Sequence, residues 1–226
     1  PMQYMIQYYA LMQGIQKEYL TDNAAQIEYH NGKEFLATSP ALQEGAHLQG
    51  RVRVKYTRGL TVTANLNPEK PWEVTQNGQA YTLPPYGWVI SKPGEILGYS
   101  ALVDGKRFDY VQCPEYTYLN SDDQPRQRVA IEVQGAAWLK KRPEGFELIP
   151  CGRLGYWQPD LTIGQIPDNR GCPVLIIDTA KLGLPTATIT ALGDKGQTAK
   201  PQTERLPDGR TKLTVTRDTV SFLISK

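Results

Sequence analysis

The chain has 226 residues, of which 40% are hydrophobic and 21% charged, and its formal net charge is +2. That length allows one large domain or two small ones, and the composition is that of a folded protein. The small net charge gives no reason to expect nucleic acid or an anionic membrane as a partner, and no apolar run approaches the roughly 18 residues of a membrane span. The N-terminus lacks the basic region and apolar core of a signal peptide, as a mature secreted chain also would.

The first twenty residues predict one amphipathic helix. Met5, Tyr8, Met12, Ile15 and Tyr19 recur at intervals of three and four, with Leu11 beside them, which is the helical period. Pro1 suits a first helical position, where its missing N–H is not needed. Such a helix would leave Met and Tyr wet unless it packs on something. Thr21-Asp22-Asn23 reads as a stop or a new cap, and residues 24 to 50 as a connector, with a short extended piece at Ile27-Glu28-Tyr29, a turn at Asn31-Gly32 and a helical turn opening at Ser39-Pro40-Ala41-Leu42.

From Arg51 the period changes to two. Val52, Val54 and Tyr56 alternate with Arg51, Arg53 and Lys55; after the Arg58-Gly59 turn, Leu60, Val62, Ala64 and Leu66 alternate with Thr and Asn. This predicts a hairpin with the apolar row buried and the basic row solvated, where it discourages edge pairing. Pro71 to Val74, Asn77-Gly78 and Tyr81 to Leu83 continue as strand, turn and strand, and Ile96 to Val103, Asp104-Gly105 and Arg107 to Cys113 form a second hairpin. The polar stretch Ser121 to Pro125 is the best internal boundary. It separates a first antiparallel unit over 51–122 from a second over 123–226, whose strands are Val129 to Val133, Ala136 to Leu139, Phe146 to Ile149, Val174 to Ile177, Ala187 to Ala191 and Val220 to Ile224. Short strands at such intervals predict a mainly β protein built as one or two antiparallel sandwiches behind an N-terminal helix.

Little catalytic chemistry stands out. The two histidines, His30 and His47, lie in the connector, and no G-x-S-x-G, H-E-x-x-H, P-loop or dinucleotide fingerprint is present, so no metal or cofactor is implied. Cys113, Cys151 and Cys172 are too widely spaced for a zinc site. Either Cys151 and Cys172 bridge, or all three are buried thiols. Asp104, Asp109, Asp122, Asp123 and Asp160 could supply the carboxylate pair of a glycosidase, but each has a sufficient structural reason in a turn, strand or linker. Trp72, Tyr86, Trp88, Tyr156 and Trp157 could stack on sugar rings. Trp88 reads as core. Trp72 and the Tyr156-Trp157 pair, which lies in a Gly- and Pro-rich excursion, are the ligand-binding candidates.

Several stretches together resemble the C-terminal region of modular glycoside hydrolases built on a (β/α)8 barrel. Residues 4–20 (YMIQYYALMQGIQKEYL) are similar to the last barrel helix. Residues 60–74 (LTVTANLNPEKPWEV) and 81–89 (YTLPPYGWV) are similar to the first β unit after it. Residues 135–150 (GAAWLKKRPEGFELIP) and the last forty residues resemble a terminal Ig-like sandwich. The resemblance implies a non-catalytic accessory region that braces a barrel through the helix and contacts glycan. No catalytic residue carries over, because such barrels keep their carboxylates on barrel strands. It further implies an exposed apolar patch of several hundred Å² or more on the helix. The rival expectations are an autonomous carbohydrate-binding module, with exposed aromatics around Trp157, and a structural or adhesive sandwich without a small ligand.

Overall fold

The structure is a computed structural model that describes residues 2–152, 172–216 and 218–226. It is mainly β and antiparallel, with one long helix, α1 (Met2–Tyr19), at the start. Two compact units are present. One is Leu11–Pro114; the other joins Pro1–Ala10 to Glu115–Lys226.

The first unit contains β1 (Ala24–His30), β2 (Phe35–Ala37), α2 (Thr38–Gln43), β3 (Arg51–Tyr56), β4 (Thr61–Asn65), β5 (Trp72–Gln76), β6 (Gln79–Leu83), β7 (Trp88–Lys92), β8 (Ile96–Val103) and β9 (Lys106–Gln112). Its sheet runs in the order β2-β1-β3-β4-β7-β8-β9. The β5–β6 hairpin joins β8 through the Thr82–Leu102 pair. The predicted hairpins form where the turn chemistry lies: Asn77-Gly78 and Asp104-Gly105 both take positive φ at both residues, the geometry that matches the twist of two-residue hairpins.

Two expectations differ from the fold in this unit. Residues 24–50 are not a connector. β1 pairs with β2 and with β3, from Ala24 opposite Tyr56 to Tyr29 opposite Val52, so 24–30 and 35–37 are strands of the sheet, and α2 and a 3-10 turn over Ala46–Gln49 lead on to β3. The basic row of β3 is also not simply a solvated face. Glu28, Arg53, Thr63, Val89, Tyr99 and Tyr110 stand opposite one another across five strand pairs and share one side of the sheet. All but Arg53 are buried. The β5–β6 hairpin lies on this side: Thr63 donates to Gln76 Oε1 at 2.7 Å, Gln76 donates to Ser91 Oγ at 2.7 Å, and the Tyr81 and Tyr99 rings are 5.5 Å apart. The apolar row is only half-covered, and every residue of β3 is half-buried.

The segment from Pro84 to Trp88 turns sharply. Gly87 N–H donates to Pro84 O at 2.7 Å, and Tyr86 takes φ +58°. A Cβ on Gly87 would come within 2.5 Å of the Pro84 ring, so glycine is required by close approach. Asn65 fastens this turn. Its fully buried side-chain amide lies 3.1 and 3.0 Å from the carbonyls of Leu83 and Pro84 and 2.9 Å from that of Lys70.

The second unit holds two antiparallel sheets, the arrangement of a sandwich. One contains β10 (Tyr116–Asn120), β13 (Ala136–Arg142), β14 (Gly145–Gly152), β20 (Thr219–Ser225), β16 (Thr188–Gly193) and β17 (Thr198–Ala199), in that order. The other contains β11 (Arg126–Arg128), β12 (Ile131–Gln134), β15 (Val174–Ile177), β19 (Thr211–Leu213) and β18 (Thr203–Arg205). Tyr118, Leu119, Leu148 and Phe222 are buried from the first sheet, and Ile131, Val133, Leu175, Ile177 and Leu213 from the second. The polar stretch 121–125 is a turn inside this unit rather than a linker before it. Buried Ser121 donates to Val133 O at 2.9 Å, and Gln134 donates to Asp123 O at 2.8 Å.

Candidate functional site

Two surfaces combine exposure with chemistry that the fold does not consume. The first is on α1. On this helix Ala10, Gly14 and Ile15 are buried, and Leu11, Met12, Gln16, Glu18 and Tyr19 are half-buried. The predicted apolar stripe of Met5, Tyr8, Met12, Ile15 and Tyr19 is therefore covered toward its C-terminal end, where Ile15 is fully buried and Met12 and Tyr19 are half-buried. At its N-terminal end Met5 and Tyr8 of the same stripe are 71% and 59% exposed. Tyr9, 53% exposed, meets the edge of Trp138 at 6.0 Å. At the other end Glu18 pairs with Lys92 at 2.9 Å, and Tyr19 lies 6.2 Å from Tyr56. The apolar row of β3 adds a related feature: Ile27, opposite Val54, is 40% exposed.

The second surface is a cationic and aromatic cluster on β1, β2, β3 and β5. His30 and Phe35 are paired across β1 and β2 with their rings 5.0 Å apart, and both lie against Trp72, at 5.3 and 5.8 Å. The Arg53 guanidinium sits 3.5 Å from the Phe35 ring centre and that of Arg51 5.7 Å from Trp72, both within cation–π range. Glu28 is buried and receives Arg53 at 2.7 Å and Lys55 at 3.1 Å. Burial pushes its carboxyl up, but the hydrogen bonds from Arg53 and Lys55 outweigh that and hold it below the ordinary value. His30 is shifted down by burial and then by the charges of Arg51 and Arg53, which favours the neutral ring at pH 7.

Trp72, expected as a sugar platform, is the buried centre of this cluster, at 4% exposure. Tyr156, Trp157 and Asp160 lie outside the described residues. Trp88 is half-buried. Asp109 is buried, accepts from Ser100 at 2.5 Å and stands 3.7 Å from Arg107. Cys113 and Cys151 are buried thiols and Cys172 an exposed one. Among the described residues no group of His, Cys, Asp or Glu is placed to hold a metal ion, and no helix is long and apolar enough to cross a membrane. A cavity of about 200 Å³ beside the β5–β6 turn is lined by Gln76, Asn77, Tyr81, Ser91 and Lys92. Its polar groups are largely engaged: Ser91 Oγ accepts from Gln76 and Asn77, and Lys92 reaches Glu18 and Glu95. His30 and Arg51 had no signal as a site in the sequence, since they and Trp72 come from three separate segments joined only by the sheet. The chain matches no protein-family model, no curated protein and no solved structure.

Proposed function

We propose that this chain is a non-catalytic accessory β region of a carbohydrate-active enzyme, docking through α1 onto a (β/α)8 glycoside hydrolase barrel that it braces. The observation that carries the reading is the N-terminal end of the apolar stripe on α1, where Met5 and Tyr8 stand exposed while Ile15 further along is buried. An apolar arc of this kind is stable in water when a partner covers it. The choice of a barrel as that partner rests on the resemblance of residues 4–20, 60–74 and 81–89 to the region after a barrel.

The test is the size of the native polypeptide, found by immunoblot of the source cells with an antibody raised to this chain. A band far above 25.3 kDa, copurifying with glycosidase activity, is the expected result. A band at 25.3 kDa with no copurifying hydrolase overturns the proposal.

A further inference from the structure

Arg51 differs from the other arginines of its unit. Arg53, Arg58 and Arg107 reach carboxylates at 2.7, 3.6 and 3.7 Å. Arg51 makes no hydrogen bond or ion pair among the described residues, and its Nε is buried without a partner. The nearest acid on the row, Glu28, is already engaged by Arg53 and Lys55. Arg51 is thus left without a carboxylate partner among the described residues. Beside it, His30 Nδ1 accepts the Gly32 N–H at 3.1 Å. That bond places the proton of the neutral ring on Nε2, which has no acceptor among the described residues. Both groups lie against the Trp72 ring, at 5.7 and 5.3 Å.

We propose that Arg51 and His30 form an oxyanion-binding site, in which the guanidinium fork takes two oxygens of a carboxylate or phosphate group and His30 Nε2–H supplies a further donor. Guanidinium geometry matches both groups in a bidentate fashion. The apolar wall of Trp72 and Phe35 strengthens the contact by lowering the local dielectric. A bound anion would offset the positive field now acting on His30. The site stands on its own geometry and is independent of whether α1 docks on a barrel.

With two histidines in the chain, the imidazole NMR signals give a direct readout. The folded chain is titrated with D-glucuronate and, separately, with inorganic phosphate, at constant ionic strength set by sodium chloride. A saturable rise of about one unit in the His30 pKa, with His47 unmoved, is the expected result. Response to glucuronate alone identifies a carboxylate ligand, and response to phosphate alone a phosphate. Arg51→Gln abolishes the response, and Arg51→Lys, which keeps the charge but loses the fork, weakens binding about tenfold. No saturable change with either probe, an equal change at both histidines, or an undiminished response in Arg51→Lys overturns the proposal. The lysine variant carries the test if the glutamine variant does not fold.

Discussion

Removing the Asn65 side chain should destabilise the first unit by about 3 kcal/mol. Asn65 ends β4 with no solvent exposure, and its amide nitrogen faces the carbonyls of Lys70, Leu83 and Pro84 at 2.9, 3.1 and 3.0 Å. Two N–H bonds cannot serve three acceptors at full strength, so two good hydrogen bonds are counted. Their loss is worth about 1 kcal/mol each, and a carbonyl left buried without a donor adds about 1 kcal/mol or more. Asn65→Ala therefore lowers the unfolding free energy by about 3 kcal/mol, read from urea titration followed by tryptophan fluorescence, with Trp72 and Trp88 in the same unit as reporters. Asn65→Asp should be worse by a further ~1 kcal/mol or more, since it turns a carboxylate toward three carbonyl oxygens. A loss under about 1 kcal/mol for the alanine variant, or an aspartate variant no worse than alanine, would show that Asn65 does not hold the Pro84–Gly87 turn.

Other outcomes follow from single contacts. The Glu28 carboxyl is held below its ordinary 4.5, so its contribution is fully present above that value and is lost as pH falls through the folded pKa. Stability measured by urea should drop below about pH 4.5, and Glu28→Gln should flatten that acid limb. Gly145 adopts φ +149°, and a Cβ there would press on the Ile224 carbonyl across the β14–β20 pair. Gly145→Ala should destabilise the second unit by roughly 2–4 kcal/mol, with amide exchange in β20 accelerating; unchanged exchange would refute the clash. Cys151 is pushed up to about 12 by burial, against a weaker opposing pull from Lys140. A thiol reagent near neutral pH should label exposed Cys172 at once and buried Cys113 and Cys151 only on denaturation. Replacing exposed Met5 and Tyr8 by serine should change the stability of this chain by less than about 0.5 kcal/mol, as measured by thermal unfolding. A large loss would mean that the chain itself covers this arc.

The hairpins were legible because their signals are local. Asn77-Gly78 and Asp104-Gly105 fix turn geometry within two residues, and the alternation on either side supplies the strands. Of β1 only Ile27 to Tyr29 is legible as an extended piece, and its full length and its place in the sheet are not, for the converse reason. Its first four residues, Ala24 to Ile27, are exposed, so selection for an apolar face left no alternation there, and its pairing with β3 depends on residues some 25 positions away. The turn at 121–125 read as a boundary because its residues are polar. Their hydrogen bonds to the strands at 133–135 leave no trace in a local pattern.

The periods of α1 and β3 identify apolar rows, but a period carries no information about which row is covered. On β3 the basic row lies on the side with Val89, Tyr99 and Tyr110, because Glu28 neutralises Arg53 and Lys55 and the rings of Phe35 and Trp72 pack on Arg53 and Arg51. On α1 Ala10, Gly14 and Ile15 are buried, while Met5 and Tyr8 remain exposed. On β3 the basic and apolar rows are thus half-buried alike, and on α1 large apolar side chains are exposed at the N-terminal end although Ile15 is covered. Water alone disfavours the exposure of Met5 and Tyr8, and the proposed docking supplies the compensation, since a partner over α1 would remove both from solvent without disturbing the contacts that Ile15 and Glu18 already make.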